Sequence, residues 1–314
     1  MNLYKLTLRP QSAFITPLKG DTLFGQLCWQ IRESFGEARL TELLSGYTAN
    51  TPFAVVSDAF IQGTLPMPNV PMHLKTGASQ QGQLKKLKKI KFINVEALHL
   101  PLKNWLSNAK TLESNGLPQS FQGLHNSINR LTNSTTGDAF SPFTLNKYSY
   151  PNNSLLDCYL VLDTTKLDLE EAKEIIATIG LIGYGRKANT GHGKFSLESI
   201  EKIEPSTYAN PNGQSYLTLA PCRVAPEGWN TPQCYYQLFT RFGRHGIQLV
   251  HTQPFKQPVM LMETGAVLTP QKMDADTLFI GQGLTGISQA QPQAVQQAYS
   301  PVLRIDLGTQ PNND

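Results

Sequence analysis

Residues 183–195 read GYGRKANTGHGKF, and this segment, called the glycine loop below, decides how the rest of the chain is interpreted. Its four glycines permit positive φ angles and let backbone N–H groups approach a ligand closely. Successive N–H groups in such turns form concavities that hold anions, and the lysines, arginine and histidine of the loop add side-chain donors. The loop is therefore predicted to hold a phosphate. The alternative is a helix-to-strand connection without a ligand, because glycine commonly ends a helix.

The spacing of the glycines disfavours the common nucleotide-binding motifs. An ATPase phosphate loop requires Gly-x4-Gly-Lys followed by Ser or Thr, whereas Ala188 and Phe195 occupy the first and last of these positions here. A dinucleotide-binding fingerprint follows a strand and opens a helix. The glycine loop follows a helix-like segment and precedes a strand-like one, so neither an ATPase nor a dehydrogenase is indicated.

Composition sets broad limits on the class of protein. The chain has 314 residues, of which 40% are hydrophobic and 16% are charged, as is usual for a globular protein. Lys plus Arg number 27 against 23 Asp plus Glu, an excess too small to indicate a nucleic-acid partner unless the cations cluster. No apolar run could span a bilayer and the N-terminus lacks a signal-peptide core, so a cytoplasmic location without a membrane partner is expected. The four cysteines are widely spaced, which favours buried thiols over disulfides or a zinc site.

Hydrophobic periodicity predicts an alternation of strands and helices on both sides of the glycine loop. Alternating apolar residues predict strands at residues 3–9, 52–62, 155–162 and from Phe195 onward. Helical spacing predicts one helix capped by Asp21 or Thr22 and ending at Gly36, and another capped by Asp168 and ending at the glycine loop. The order β-α-β-β-α-β is that of the α+β ferredoxin-like fold, which RNA-recognition (RRM-like) modules also use.

Two further regions complete the predicted organisation. Residues 63–153 interrupt the first domain, predicted over residues 1–205, as a long insertion or arm with little regular structure. Residues 206–314 read as a second, strand-rich domain, with strands expected at 216–224, 234–241, 258–268 and 302–307.

Two segments of the insertion carry groups suited to RNA. Residues 84–91, LKKLKKIK, place five lysines among three apolar residues, either as a cationic stripe or as ordinary solvated surface. Residues 125–132, HNSINRLT, supply amide, hydroxyl and cationic donors of the kind that contact phosphates and 2′-hydroxyls. The same stretch could instead be a polar loop that satisfies its own hydrogen bonds.

Catalytic patterns are weak in this sequence. The six histidines form no metal-spaced pair, and there is no G-x-S-x-G elbow or signature cysteine. His192, inside the glycine loop, is the one candidate general base for RNA cleavage. Binding without catalysis, cofactor or metal is therefore the favoured interpretation, with cleavage as the alternative.

Several segments, in this order along the chain, resemble the repeat-associated (RAMP) proteins of CRISPR systems. They are YKLTL at 4–8 with PLKGDTLFG at 17–25, the glycine loop, and PFK at 254–256 with ETGAV at 263–267. More closely, the chain resembles the fourth-subunit family of type III-A (Csm) effector complexes, and HNSINRLT also fits that family.

The resemblance implies two ferredoxin-like units, the second irregular, in a non-catalytic subunit that holds the 5′ repeat-derived tag of the guide RNA in antiviral defence. The implied partners are the guide (CRISPR) RNA, the large Cas ten signature subunit, the backbone Csm subunit and target RNA near the tag boundary. The implied RNA-binding residues are Lys19, Asn126, Asn129, Arg130, Gly183, Gly185, Arg186, Lys187, Gly191, His192, Gly193 and Lys194. Base stacking would fall to an aromatic residue such as Phe143, Tyr148 or Tyr150. The alternative from the same superfamily is a metal-independent, guide-processing endoribonuclease that uses His192.

Overall fold

The computed structural model describes residues 1–75, 89–108, 117–135, 141–245 and 255–308. The chain is α+β, with antiparallel sheets and few helices. The helices are α1 (Gly20–Phe35), α2 (Glu37–Leu44), α3 (Met72–Lys75), α4 (Trp105–Asn108) and α5 (Leu169–Ile182). The strands are β1 (Asn2–Pro10), β2 (Ala54–Ile61), β3 (Thr64–Pro66), β4 (Phe92–Asn94), β5 (Gln119–His125), β6 (Phe143–Ser149), β7 (Leu156–Leu162), β8 (Phe195–Lys202), β9 (Ser215–Thr218), β10 (Leu238–Arg241), β11 (Val259–Met262), β12 (Val267–Leu268), β13 (Phe279–Leu284) and β14 (Gln296–Ile305). Within these ranges no helix has the length and apolarity needed to cross a membrane.

The first sheet has four antiparallel strands in the order β2-β7-β1-β8. Its strands and its two long helices, α1 and α5, follow the predicted β-α-β-β-α-β order, interrupted between β2 and β7. Both helices pack on one face of the sheet, where Leu27 of α1 and Ile176 of α5 meet Leu6 and Cys158. Alternation in β1 and helical spacing in α1 and α5 are the sequence features that create this shared core.

The two long helices begin in different ways. Asp168 caps α5 through a capping box with Glu171, as the sequence predicts for that aspartate. The predicted cap of α1 by Asp21 or Thr22 is wrong, because the N-cap position is Lys19 and its side chain caps no N–H group. Instead, the backbone N–H of Gly20 donates to Asp58 Oδ1 at 2.8 Å. A buried carboxylate from β2 therefore supplies the first hydrogen bond of α1.

The segment between β2 and β7 contains more regular structure than its composition indicates. Strands β5 and β6, of seven residues each, pair along their whole length as an antiparallel hairpin, here called the arm hairpin. The backbone N–H of Tyr148 in β6 donates to Phe14 O at 2.7 Å, and the backbone N–H of Phe14 donates to Tyr148 O at 2.8 Å. This bridge attaches the arm hairpin to the connection between β1 and α1. Of the predicted lysine segment, residues 84–88 lie outside the described residues.

The C-terminal part is strand-rich, as predicted, and is joined to the first sheet by buried polar contacts. Its main sheet has the order β12-β9-β14-β13, and β10 pairs with β11 in a separate ribbon. Strand β13 was not anticipated from the sequence. The fully buried side chain of Gln297 on β14 donates to Val56 O at 2.7 Å and accepts from Val56 N at 2.9 Å. These bonds satisfy the β2 backbone where its pairing with β7 shifts register.

Candidate nucleic-acid interface

The glycine loop packs along the connection between β1 and α1. The backbone N–H of Gly193 donates to Ala13 O at 2.9 Å, and that of Lys194 donates to Ser12 Oγ at 2.9 Å. The N–H of Arg186 donates to a third residue of this connection, Thr16, through its Oγ1 at 3.1 Å. These backbone donors hold the loop in place and are engaged within the protein.

Tyr184 fixes the loop to the start of α1. Its ring is fully buried, and its hydroxyl donates to Pro17 O at 2.9 Å and accepts from Lys19 N at 3.1 Å. Burial raises the pKa of this hydroxyl, so it stays protonated and keeps its donor role at neutral pH. Tyr184 consequently links the loop to the N-terminus of α1 through two hydrogen bonds.

Three of the four loop glycines have a packing reason to be glycine. Gly183, Gly185 and Gly193 have φ angles of 110°, 76° and 74°. A Cβ would lie 2.6 Å from His192 O at Gly183 and 2.8 Å from Thr16 Cβ at Gly185, and at Gly193 it would overlap the Tyr184 backbone. Gly191 also has a positive φ, 83°, but an added Cβ there would meet no atom within 4 Å. Gly183, Gly185 and Gly193 therefore let the loop fold onto its own chain and onto Thr16.

The cationic side chains of the loop remain available to an anion. Arg186 is exposed, while Lys187, His192 and Lys194 are half-buried. Within the described ranges, the ion pairs found include none that joins Arg186, Lys187 or Lys194 to a carboxylate. The positive charge of this surface is thus not neutralised by the described part of the chain.

The arm hairpin brings further groups to the glycine loop. The His125 ring stacks on Phe143 with a centroid distance of 5.8 Å and lies 6.4 Å from the His192 ring. Lys187 Nζ lies 5.7 Å from the centroid of the same Phe143 ring, a cation–π arrangement. With Lys147, whose charge acts on His192, these residues form what is called here the arm–loop junction.

The electrostatics of the arm–loop junction favour an anion. Burial, the Lys147 ammonium and His125 lower the pKa of His192, so its imidazole is mostly neutral at pH 7. His125 Nε2 is buried, and within the described residues it has no hydrogen-bond partner. A phosphate or a nucleotide hydroxyl placed here would face two lysines and two imidazoles.

The other predicted contacts of the arm are distributed around its tip. Asn126 and Arg130 are exposed. Asn129 is partly used by the fold, because its Oδ1 accepts from Leu131 N at 3.0 Å and its N–H donates to Ser134 O at 3.0 Å. His125, adjacent to Asn126 in the chain, brings the start of this segment beside His192 of the glycine loop.

Lys19 has a structural partner that the sequence did not indicate. Its Nζ lies 2.6 Å from Asp58 Oδ2, which also accepts from Thr264 Oγ1 at 2.6 Å. Burial lowers the pKa of Lys19, but the Asp58 carboxylate more than offsets this and the net pKa is raised. The Lys19 side chain is 37% exposed, whereas that of Asp58 is 4% exposed.

Three residues that lie at or beside this surface are not among the RNA-binding residues predicted from the sequence. His125 and Lys147 belong to the arm hairpin, and Asp58 lies beneath Lys19. The alternation in β6, where Leu145 is buried and its neighbours are not, is the signal that could have revealed a strand carrying Lys147. No local pattern indicates that Asp58 meets Lys19, 39 residues earlier.

Comparison with known proteins identifies relatives by fold only. No protein-family model matches the chain, and no curated protein matches it. A chain in the crystal structure of a Csm1–Csm4 cassette in complex with pppApA aligns with a TM-score of 0.60 and 14% identity, covering 100% of both chains. A chain from the same cassette in complex with cA4 gives a TM-score of 0.61 at 14% identity, covering 98% of this chain and 100% of that one.

A third solved structure is the Csm3–Csm4 subcomplex of the type III-A CRISPR–Cas interference complex. One of its chains aligns with a TM-score of 0.61 and 13% identity, covering 98% of this chain and 100% of that chain. At these identities the comparison establishes the fold. The resemblance seen in the sequence is thereby confirmed: the chain has the fold of a subunit found in type III-A CRISPR–Cas structures.

Proposed function

We propose that this chain is a non-catalytic, Csm4-like RNA-binding subunit of a type III-A CRISPR effector complex, which holds the 5′ repeat-derived tag of the guide RNA. The strand order of the first sheet supports assigning it to the ferredoxin-like class, with an irregular second unit of the same class. The observation that carries the proposal is the arm–loop junction, where cationic and aromatic side chains converge without a neutralising carboxylate from the described residues. It lies on a fold shared with type III-A subunits.

Binding at this surface combines charge with stacking. Arg186, Lys187 and Lys194 neutralise backbone phosphates, which gives sequence-independent affinity that falls as salt rises. Phe143 and His125 offer an aromatic surface for an unstacked base, while Asn126 and Arg130 at the arm tip reach base edges or 2′-hydroxyls. The glycines act through the loop conformation that presents these side chains.

The proposed partners follow from the structures that share the fold. Those structures contain Csm1 and Csm3 beside Csm4. By analogy, this chain joins the large signature subunit to the backbone subunit, with the arm hairpin near the boundary between tag and target RNA.

Guide-RNA affinity tests the proposal. Lys187→Ala and Lys194→Ala should each weaken binding about three- to tenfold and reduce the salt slope by about 0.7 for each lost phosphate contact. The measurement is fluorescence anisotropy of a labelled guide RNA between low and physiological salt. Lys173→Ala is the matched control, because it removes the same charge from an exposed lysine that is paired with Glu170 on α5. Equal affinity for all three variants and the unmodified chain would contradict the proposal.

The proximity of the His125 and His192 rings, 6.4 Å apart, favours a second candidate function, metal-independent RNA cleavage. His192 is mostly neutral at pH 7 and can accept a proton, and His125 lies close enough to act with it through a bound substrate. The test is incubation of repeat RNA with the purified protein in excess chelator for several hours. Intact RNA is expected for a binding subunit. Cleavage that is lost in both His192→Ala and His125→Ala would instead establish the ribonuclease.

A further inference from the structure

A cleft with both polar and apolar lining lies between residues 69–75 and residues 231–237, and no residue of the glycine loop lines it. Its volume is about 480 Å³, within the range of small-molecule sites. Its lining includes Lys75, Tyr235, Tyr236, Asn69 and Gln237. None of these groups takes part in the arm–loop junction.

The positive charge of the cleft favours an anionic ligand. Lys75 is the only charged residue in its described lining, and no carboxylate of the described residues forms an ion pair with it. The side chain is half-buried, and burial lowers the pKa of its amine. An ammonium removed from water without a counter-charge is unfavourable, and a phosphate beside it would restore the lost stabilisation.

The aromatic side chains of the cleft suit a nucleobase. Tyr236 is 44% exposed, so its ring is accessible. The backbone of Tyr235 is held by two 2.8 Å hydrogen bonds with Val267, which fixes the position of the pair. Base stacking on such rings tolerates any base, because every base has a π face.

We infer that this cleft binds one nucleotide, with its base against Tyr236 and its phosphate on Lys75. The nucleotide can belong to a single RNA strand or be a free mononucleotide, since the recognised chemistry is the same.

Hydrogen bonds connect the cleft to the glycine loop. Asn69 Nδ2 donates to Thr264 O at 3.2 Å, and the Thr264 hydroxyl donates to Asp58, which pairs with Lys19. Lys19 N in turn donates to the Tyr184 hydroxyl of the loop. Cleft and loop are therefore linked through the hydrogen bonds of Thr264, Asp58 and Lys19.

The experiment uses the 314-residue chain with two probes. A labelled single-stranded RNA of twelve nucleotides is titrated by fluorescence anisotropy, and UMP and AMP are titrated by calorimetry. Lys75→Ala and Tyr236→Ala should each weaken binding about tenfold, either of the RNA or of the mononucleotide, whichever of them occupies the cleft. Lys75→Arg and Tyr236→Phe retain the charge and the ring and should bind as the unmodified chain does, and Lys173→Ala is the surface control. Circular dichroism melts confirm that each variant is folded.

The outcomes are separable. Loss of RNA affinity in both alanine variants, without mononucleotide binding, identifies a strand as the ligand. Mononucleotide binding that both alanine variants remove identifies a free nucleotide. If both alanine variants bind RNA and mononucleotides as the unmodified chain does, or if no probe binds the unmodified chain, the inference is overturned. Failure of the proposed tag-binding function is detected separately, as unchanged guide-RNA affinity in the Lys187→Ala and Lys194→Ala variants. The mononucleotide titration tests the cleft independently of that function.

Discussion

Asp58→Ala is expected to lower the free energy of unfolding by about 3 kcal/mol, because it removes one partner of a buried ion pair. The carboxylate is 4% exposed and accepts from Gly20 N, Thr264 Oγ1 and Lys19 Nζ. Without it, the first N–H of α1 and a hydroxyl from the C-terminal part lose their acceptor, and Lys19 loses its counter-charge. Urea unfolding followed by circular dichroism measures the change.

Two variants control for the loss of a carboxylate. Asp58→Asn keeps the shape and an acceptor oxygen, so it should cost clearly less than alanine. Asp276→Ala removes an exposed carboxylate and should change stability by no more than about 0.5 kcal/mol. If Asp58→Ala were no more destabilising than Asp276→Ala, the proposed role of Asp58 in holding α1 would be wrong.

Gly193→Ala is expected to lower the free energy of unfolding by about 2–4 kcal/mol and to abolish high-affinity guide binding. The φ of 74° already disfavours an L side chain, and the new Cβ would overlap the Tyr184 backbone. The loop must shift, which displaces the neighbouring His192 from the arm–loop junction and moves Lys194 on its other side.

Gly191→Ala is the matched control for this substitution. Its φ of 83° is equally unfavourable for alanine, but no atom lies within 4 Å of the added Cβ. It should cost about 1 kcal/mol and leave RNA affinity nearly unchanged. Thermal melts and anisotropy on both variants separate backbone strain from steric overlap, and equal losses would contradict the packing described for Gly193.

The elements of the first sheet could be predicted because their signals are local. Apolar alternation in β1 and β7, helical spacing in α1 and α5, and the Asp168 cap each depend on residues close in sequence. The position of the glycine loop between α5 and β8 followed from the same patterns. These features were enough to predict the α+β class and the order of the elements in the first sheet.

The details of the candidate site depend on contacts between distant segments. The N-terminal N–H of α1 is capped by Asp58, which lies 38 residues beyond Gly20. Hydrophobic periodicity cannot predict this hydrogen bond, because it describes only residues close in sequence. Leu145 in β6 is the one buried residue of the arm hairpin, so its apolar alternation is weak in β6 and missing from β5. Its approach to the glycine loop, which joins His125 to His192, could therefore not be read from the sequence.

The most direct test of tag binding at the arm–loop junction is photo-crosslinking in the assembled effector complex. A guide RNA carries 4-thiouridine at single positions of its 5′ tag, and crosslinked peptides are identified by mass spectrometry. The expected result is crosslinking of tag positions to residues 183–195 or to the arm hairpin, reduced by Gly193→Ala and unchanged by Lys173→Ala. Crosslinks of every tag position to other subunits, with none to this chain, would contradict the account.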